Sequence, residues 1–123
     1  MDVSPAFSDM DHVQFKKLIR YIDENYRDNL LLKDLAKQFY MNANYCCLLF
    51  KKYVKSSFSE YLNALRIQEA SELLLSTDYT IIEIAKMVGY NDYYYFNKVF
   101  KKTTGQTPKA YRQSSDPGVQ GAI

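Results

Sequence analysis

The chain has 123 residues, of which 47% are hydrophobic and 24% are charged. A chain of this length forms one compact unit, or two very small ones that share a core, and its apolar content excludes a disordered protein. The net charge is only +2, which by itself indicates no particular partner. With 4 Gly and 3 Pro, the composition favours helices over many short strands.

The cysteine and histidine content argues against a disulfide and against a metal site. Cys46 and Cys47 are adjacent, a spacing that rarely forms a bridge, and His12 is the only histidine. A structural zinc ion needs four ligands, so we expect neither a metal nor another cofactor. No signal peptide or membrane-spanning run stands out, and we expect a cytoplasmic protein without a membrane partner.

The first predicted element is an amphipathic helix over residues 11–26, preceded by a flexible lead-in. Its apolar residues recur at steps of three and four, the spacing of one helix face: Phe15, Leu18, Ile19, Ile22 and Tyr26. Asp28 and Asn29 end this helix.

Residues 32–61 and 81–111 form an internal repeat. Two short apolar faces correspond: Leu32, Leu35, Ala36 and Phe39 in the first copy, and Ile81, Ile84, Ala85 and Val88 in the second. Two longer helices follow the turns, with apolar sides at Cys46, Leu49 and Phe50 and at Phe96, Val99 and Phe100. The offset is 49 residues in the first helices and 50 in the second, so the second turn is one residue longer. Each copy predicts a helix-turn-helix.

Local signals define the helix ends of the second copy. Thr80 and Glu83 form a capping box, and Gly89 suits a helix C-terminal turn that needs a positive φ. Asp92 is expected to cap the recognition helix. A last short helix begins after Thr107.

A long helix is predicted between the two copies. Ser57 and Glu60 form the capping box that opens it, and it ends near Ser76. Apolar residues cover much of its circumference, as expected for a linker that is covered on more than one side. The predicted organisation is all-α, with a flexible lead-in at 1–10, a first subdomain at 11–62, the linker helix at 58–76, a second subdomain at 77–113 and a disordered tail at 114–123.

Positive charge is concentrated in two separate blocks. Residues 41–66 contain four bases and one acid, and residues 86–112 contain six bases and one acid. Residues 67–83, in contrast, contain four acids and no base. Two basic blocks on two helix-turn-helix units predict a polyanionic partner.

The repeat resembles the DNA-binding domain of AraC/XylS-type transcription regulators over about residues 12–112. The motifs that carry the resemblance are residues 34–36, 45–52, 58–62 and 66–67 in the first half, and residues 84–90, 95–102, Gly105, 107–108 and 111–112 in the second. The second-half motif is highly specific, and two such units at this spacing are a strong signal.

The resemblance implies seven helices, two helix-turn-helix subdomains and a central helix that joins them. It also implies sequence-specific regulation of transcription, with the two recognition helices in successive major-groove segments of one DNA face. Most family members carry this domain at the C-terminus of a longer chain. A sensor or receiver domain on the N-terminal side, RNA polymerase as a further partner and a monomeric isolated domain are therefore expected.

Base-contacting residues are expected on the stripe of each recognition helix that lies opposite its apolar side: Asn44, Cys47, Leu48, Tyr93, Tyr94, Asn97 and Lys98. Asn97 is suited to adenine and Lys98 to the acceptors of guanine, whereas Leu48 is limited to a thymine methyl group. Tyr95 is expected to pack within the fold. Hydrogen-bonded discrimination is therefore expected mainly from the second unit.

Phosphate contacts are expected from the basic residues around both recognition helices and from two following helix N-termini: Lys51, Lys52, Lys55, Ser57, Lys101, Lys102, Thr107, Lys109 and Arg112. Lys55 stands where the family usually has glycine, as at Gly105, so a different cap is expected there. For Arg66, an intramolecular pair with an acid is the expected role.

A second hypothesis is a helical protein-interaction module that contacts the transcription machinery without reading DNA. Cys47 and Leu48 motivate it, because they are apolar residues on an otherwise polar stripe. An enzyme is not expected, because the sequence holds no nucleophile–base pair and no phosphate-binding loop.

Overall fold

A computed structural model describes residues 9–114. It contains seven α-helices, and no strand occurs in this range: α1 (Asp9–Asn25), α2 (Leu32–Gln38), α3 (Ala43–Leu49), α4 (Phe58–Ser76), α5 (Ile81–Val88), α6 (Tyr93–Thr104) and α7 (Pro108–Ser114). The all-α prediction is confirmed, although α1 begins two residues before its predicted start. Most of the predicted lead-in and tail, residues 1–8 and 115–123, lies outside the described residues. Within residues 9–114 no helix is long and apolar enough to cross a bilayer.

The chain divides into two compact units. Within residues 9–114, unit 1 comprises the chain up to Asn25 together with Asn29–Tyr61, and unit 2 comprises Tyr26–Asp28 and the residues that follow Tyr61. Each unit contains one helix-turn-helix, α2–α3 or α5–α6. Helix α4 begins in unit 1 and continues in unit 2.

The core of unit 1 is built around Phe50. Its ring meets that of Phe15 on α1 edge-on, with 5.2 Å between ring centres, and it also contacts Phe58 and Tyr61. Leu18, Leu35 and Leu49 are among the buried residues of this unit. The amphipathic face predicted for α1 therefore points into the core through Phe15, Leu18 and Ile22.

The core of unit 2 is built from one face each of α4, α5 and α6. Phe96 and Phe100 of α6 are fully buried and pack with residues of the other two helices. Their rings are 5.7 Å apart between centres, and Tyr111 of α7 contacts Phe100 at 5.4 Å. The buried aromatic pair fixes which side of α6 remains exposed.

The predicted helix caps are all present. Thr80 and Glu83 exchange both bonds of a capping box, as do Ser57 and Glu60 at the start of α4. The Asp92 carboxylate accepts from the first two backbone N–H groups that follow Tyr93, those of Tyr94 and Tyr95. The Thr107 hydroxyl accepts from the N–H of Ala110 at 3.1 Å, and Pro108 is the first residue of α7.

The turns of the two copies have the same hydrogen bonds. In the first copy the backbone N–H of Tyr40 donates to the Lys37 carbonyl, and that of Met41 donates to the Ala36 carbonyl. In the second copy the N–H of Gly89 donates to the Lys86 carbonyl, and that of Tyr90 donates to the Ala85 carbonyl. The caps before α2 and α5 are 49 residues apart and those before α3 and α6 are 50 apart, which confirms the predicted offsets. The predicted longer second turn is not seen in the helix bounds, because four residues separate the two helices in each copy. Gly89 has the predicted positive φ, 118°. Its counterpart is Tyr40, with φ 58°, which the sequence did not indicate.

The recognition helix of unit 1 ends in a π-helical segment that the sequence did not predict. Helix α3 continues into this segment, Phe50–Val54, whose last bond runs from Lys55 N–H to Phe50 O at 2.9 Å. The expectation of a different cap at Lys55 is confirmed for the hydrogen bond, since Gly105 N–H bonds to Lys101 O four residues back, but not for the backbone conformation. Lys55 adopts the left-handed conformation, φ 66°, as Gly105 does at φ 84° after α6. The cap conformation is therefore the same in both copies without a glycine in the first.

Candidate nucleic-acid interface

The exposed side of α6 carries an aromatic and two cationic residues. Tyr94 is 84% exposed, and Lys98 and Lys101 are also exposed. They lie four and three residues apart, so they form one stripe on the helix. Because Phe96 and Phe100 hold the opposite side in the core, this stripe faces solvent as predicted.

Two other predicted base-contacting residues of α6 are less available. Tyr93 packs partly against the hydrophobic core of unit 2. Asn97 is half-buried, and its side-chain amide donates to the Tyr93 carbonyl at 3.2 Å. This bond uses one of the two N–H donors of the amide, so a second N–H and the side-chain oxygen remain for an adenine.

The corresponding stripe of α3 is exposed but chemically poorer. Asn44, Cys47 and Leu48 are exposed, and Leu48 retains 51% of its accessible surface. The neighbouring Cys46 is buried, and this burial raises the pKa of its thiol to about 11. Cys46 is thus a packing residue, whereas Cys47 and Leu48 are the apolar part of the surface.

Most of the predicted phosphate-contacting residues are exposed: Lys51, Lys52, Lys55, Ser57, Lys101, Lys102, Thr107 and Lys109. Arg112 differs from them, because it is half-buried and its guanidinium donates to Leu74 O at 2.9 Å and Thr77 O at 3.1 Å. These bonds hold α7 to the end of α4. Arg112 therefore stabilises unit 2, which its position in the sequence did not indicate.

Arg66 anchors the short segment of unit 2 that lies between α1 and α2. Its guanidinium donates to the backbone carbonyls of Tyr26 and Asp28, both at 2.7 Å. The expectation that Arg66 pairs with an acidic side chain was therefore wrong. Burial lowers the pKa of Arg66. Glu69 binds the same segment, through the Tyr26 hydroxyl at 2.9 Å and an ion pair with Arg27. A residue pattern does not show which backbone carbonyls will accept a hydrogen bond. The two carbonyls also lie 38 and 40 residues before Arg66 in the sequence, so the sequence did not indicate this contact.

A polar network connects α4 with the start of α6. The Tyr90 hydroxyl donates to Asn63 Oδ1 at 2.6 Å, and Asn63 Nδ2 donates to the Tyr95 hydroxyl oxygen at 3.3 Å. The Arg66 guanidinium lies 5.3 Å from the centre of the Tyr90 ring, which also contacts the rings of Tyr95 and Phe96. Burial also raises the pKa of Tyr90 above its ordinary value. The network links the recognition helix to the linker helix within unit 2.

Comparison with known proteins identifies the family. A helix-turn-helix domain family matches residues 35–114. The regulatory protein PocR of Salmonella typhimurium is 42% identical over 100 residues, which are 81% of this chain and 33% of PocR. The C-terminal domain of the response regulator yesN from Fusobacterium nucleatum is 36% identical with a TM-score of 0.75, over 79% of this chain and 95% of that domain. The chain belongs to the AraC-type helix-turn-helix family.

The family assignment bears on both hypotheses. AraC-type domains are the DNA-binding parts of transcription regulators, and this supports the first hypothesis over the protein-interaction module. The DNA-binding domain of AdpA, a global transcriptional factor solved with a target DNA, has the same fold, with a TM-score of 0.79 and 21% identity over 89% of this chain and 98% of that one. The chain spans about a third of the length of the curated relatives that it matches. Among residues 9–114 no group of acidic, His and Cys residues is arranged to hold a metal ion.

Proposed function

We propose that this chain is the output domain of a transcription regulator and that α3 and α6 read successive major-groove segments of one DNA site. The observation that carries the proposal is the exposed face of α6. Tyr94, Lys98 and Lys101 project from a helix whose opposite side is fixed by two fully buried phenylalanines. A major groove admits one α-helix, and such a rigidly held helix suits that role.

Direct base readout is proposed mainly for α6. We propose that Lys98 donates to the O6 and N7 acceptors of guanine and that Tyr94 contacts the neighbouring base or its methyl group. Asn97 joins them at an adenine, through its second N–H and its side-chain oxygen. On α3, Asn44 supplies the polar contact, and Cys47 and Leu48 supply apolar contact with a thymine methyl.

Phosphate contacts position both helices and supply the sequence-independent part of the affinity. We assign them to the exposed cations and to the caps of α4 and α7: Lys51, Lys52, Lys55, Lys101, Lys102, Lys109, Ser57 and Thr107. Arg112 is left out of this set, because it is half-buried and its guanidinium is held by two carbonyls of unit 2.

The role of the whole protein is proposed from its relatives. Because PocR is about three times as long as the matched region, we infer a sensor or receiver domain on the N-terminal side. RNA polymerase is the proposed protein partner, the isolated domain is proposed to be a monomer, and the cytoplasm is the proposed location. No catalytic activity is assigned to this domain.

The test is a selection of bound duplexes from a random library, followed by anisotropy titrations with the selected site. Lys98→Ala should weaken binding by about 1–3 kcal/mol and relax the preference at one base pair. Lys102→Ala is the matched control on the same helix, and it should weaken binding to all sequences alike. If the chain binds neither selected nor random duplex at low salt, the DNA-reading role is refuted.

A further inference from the structure

Tyr95, on the first turn of α6, has a hydroxyl whose oxygen already accepts a hydrogen bond inside the fold. Asn63 Nδ2 is the donor, at 3.3 Å, and Asn63 Oδ1 accepts from Tyr90 at 2.6 Å. Tyr95 itself is 47% exposed, whereas Tyr90 is 3% exposed. Both tyrosine hydroxyls therefore bond to the side-chain amide of Asn63, but one tyrosine is buried and the other is half exposed.

The difference in burial decides the direction of this network. Asn63 offers one acceptor oxygen and one donor nitrogen to two hydroxyl groups. A buried hydroxyl proton without an acceptor costs the full desolvation of that group, whereas an exposed one is hydrated. The buried Tyr90 therefore takes the Asn63 oxygen, and the amide nitrogen is left to donate to Tyr95. As a result the Tyr95 proton is directed away from the fold, and no residue in the range 9–114 accepts it.

The surroundings of Tyr95 suit an anionic acceptor. Lys98 and Lys102 follow it by three and seven residues, so the three side chains share one face of α6. Both lysines are exposed. This face borders the stripe of Tyr94, Lys98 and Lys101, and a helix in the major groove has the sugar–phosphate backbone at the border of its reading face.

We propose that the Tyr95 hydroxyl donates a hydrogen bond to a DNA phosphate oxygen, and that Asn63 and Tyr90 are positioning residues that orient its proton. The proposal rests on the DNA-reading role proposed above. It gives the linker helix α4 a part in DNA binding through Asn63, which does not itself touch DNA.

The contact has a signature that separates it from a lysine contact and from a base contact. A neutral hydroxyl displaces no counterion, so Tyr95→Phe should leave the slope of log K against log salt unchanged. Loss of one neutral hydrogen bond should weaken binding about three- to tenfold. Because phosphates carry no sequence information, that loss should be equal on the selected site, on its single-base variants and on random duplex. Lys102→Ala, by comparison, should lower the slope by about one.

Asn63→Asp tests the positioning part. An ionised carboxylate has two acceptor oxygens and no donor, so it accepts from both tyrosines and turns the Tyr95 proton inward. The added charge weakens binding in every background. The additional loss of affinity that arises when the Tyr95 proton turns inward should appear only in chains that retain Tyr95. Asn63→Asp should therefore cost about three- to tenfold more in the wild-type chain than in the Tyr95→Phe chain.

All titrations use the complete chain, with thermal unfolding and the active fraction at saturating DNA measured for each variant. Wild-type affinity for all duplexes in Tyr95→Phe would overturn the phosphate contact. A loss confined to the selected site would assign Tyr95 to a base, which also overturns it. Equal losses from Asn63→Asp in both backgrounds would overturn the positioning role. If the wild-type chain binds no duplex, the DNA-reading role itself fails, which is a distinct result.

Discussion

Gly89 should be the least replaceable residue of the second turn. Its positive φ is one reason, and the atoms that a side chain would meet there are a second. A Cβ atom at this position would lie 2.7 Å from Arg66 Nε and 2.9 Å from Arg27 O. Arg66 would have to move, and its guanidinium holds the Tyr26 and Asp28 carbonyls. Gly89→Ala should therefore destabilise unit 2 through strain and through the displaced arginine.

The magnitude follows from two separate contributions. An alanine at positive φ costs about 1–2 kcal/mol. Losing one charge-assisted hydrogen bond from Arg66 costs about 1.5–3 kcal/mol more. The free energy of unfolding of Gly89→Ala should thus fall by about 2.5–5 kcal/mol. Urea unfolding followed by far-ultraviolet circular dichroism measures this difference.

The chain supplies a matched control in Gly105. It also has a positive φ, but a Cβ there would meet nothing within 4 Å among the described residues. Gly105→Ala should therefore show only the strain, about 1–2 kcal/mol. In an Arg66→Met background, the excess cost of Gly89→Ala over Gly105→Ala should shrink. Equal costs of the two glycine substitutions in the wild-type chain would refute the role given to Arg66.

Three further outcomes are expected. Lys55→Gly should raise the free energy of unfolding by about 1–2 kcal/mol, because Lys55 is held at φ 66°; an unchanged urea midpoint would contradict this. Asp92→Ala should lower the free energy of unfolding by about 0.5–2 kcal/mol, because the carboxylate caps two N–H groups of α6. The amide protons of α6 should then exchange faster with solvent. The pKa values of Tyr61 and Tyr90 are raised, chiefly by burial. Above about pH 10 the unfolded chain loses protons that the folded chain keeps, so stability should fall with rising pH, and Tyr90→Phe should flatten that fall.

The helices and their starting points were predictable because their signals are local. The apolar spacing of α5 and α6 and the caps at Thr80 and Asp92 depend on residues at most four apart. The all-α class follows from the same short-range information. Exposure of Tyr94 and Lys98 was predictable for the same reason, since the buried side of a helix determines the exposed one.

The contacts that were missed are long-range or depend on backbone atoms. Arg66 bonds to carbonyls 38 and 40 residues away, and Arg112 to carbonyls 35 and 38 residues away. A sequence shows a charged side chain and its charged neighbours, but it does not show which carbonyls a fold leaves without partners. The bond from Asn97 to the Tyr93 carbonyl is local, but the residue pattern does not show that the amide makes it.

The two copies of the helix-turn-helix separate two reasons for a glycine in a turn. Tyr40 and Gly89 occupy equivalent positions with the same backbone bonds and positive φ. The Tyr40 side chain is 90% exposed, so its only cost is backbone strain. At Gly89 the guanidinium of Arg66 and a backbone carbonyl occupy the space that a side chain would need. The turn geometry tolerates a tyrosine, and it is the close approach of Arg66 and of the Arg27 carbonyl that requires glycine in the second copy.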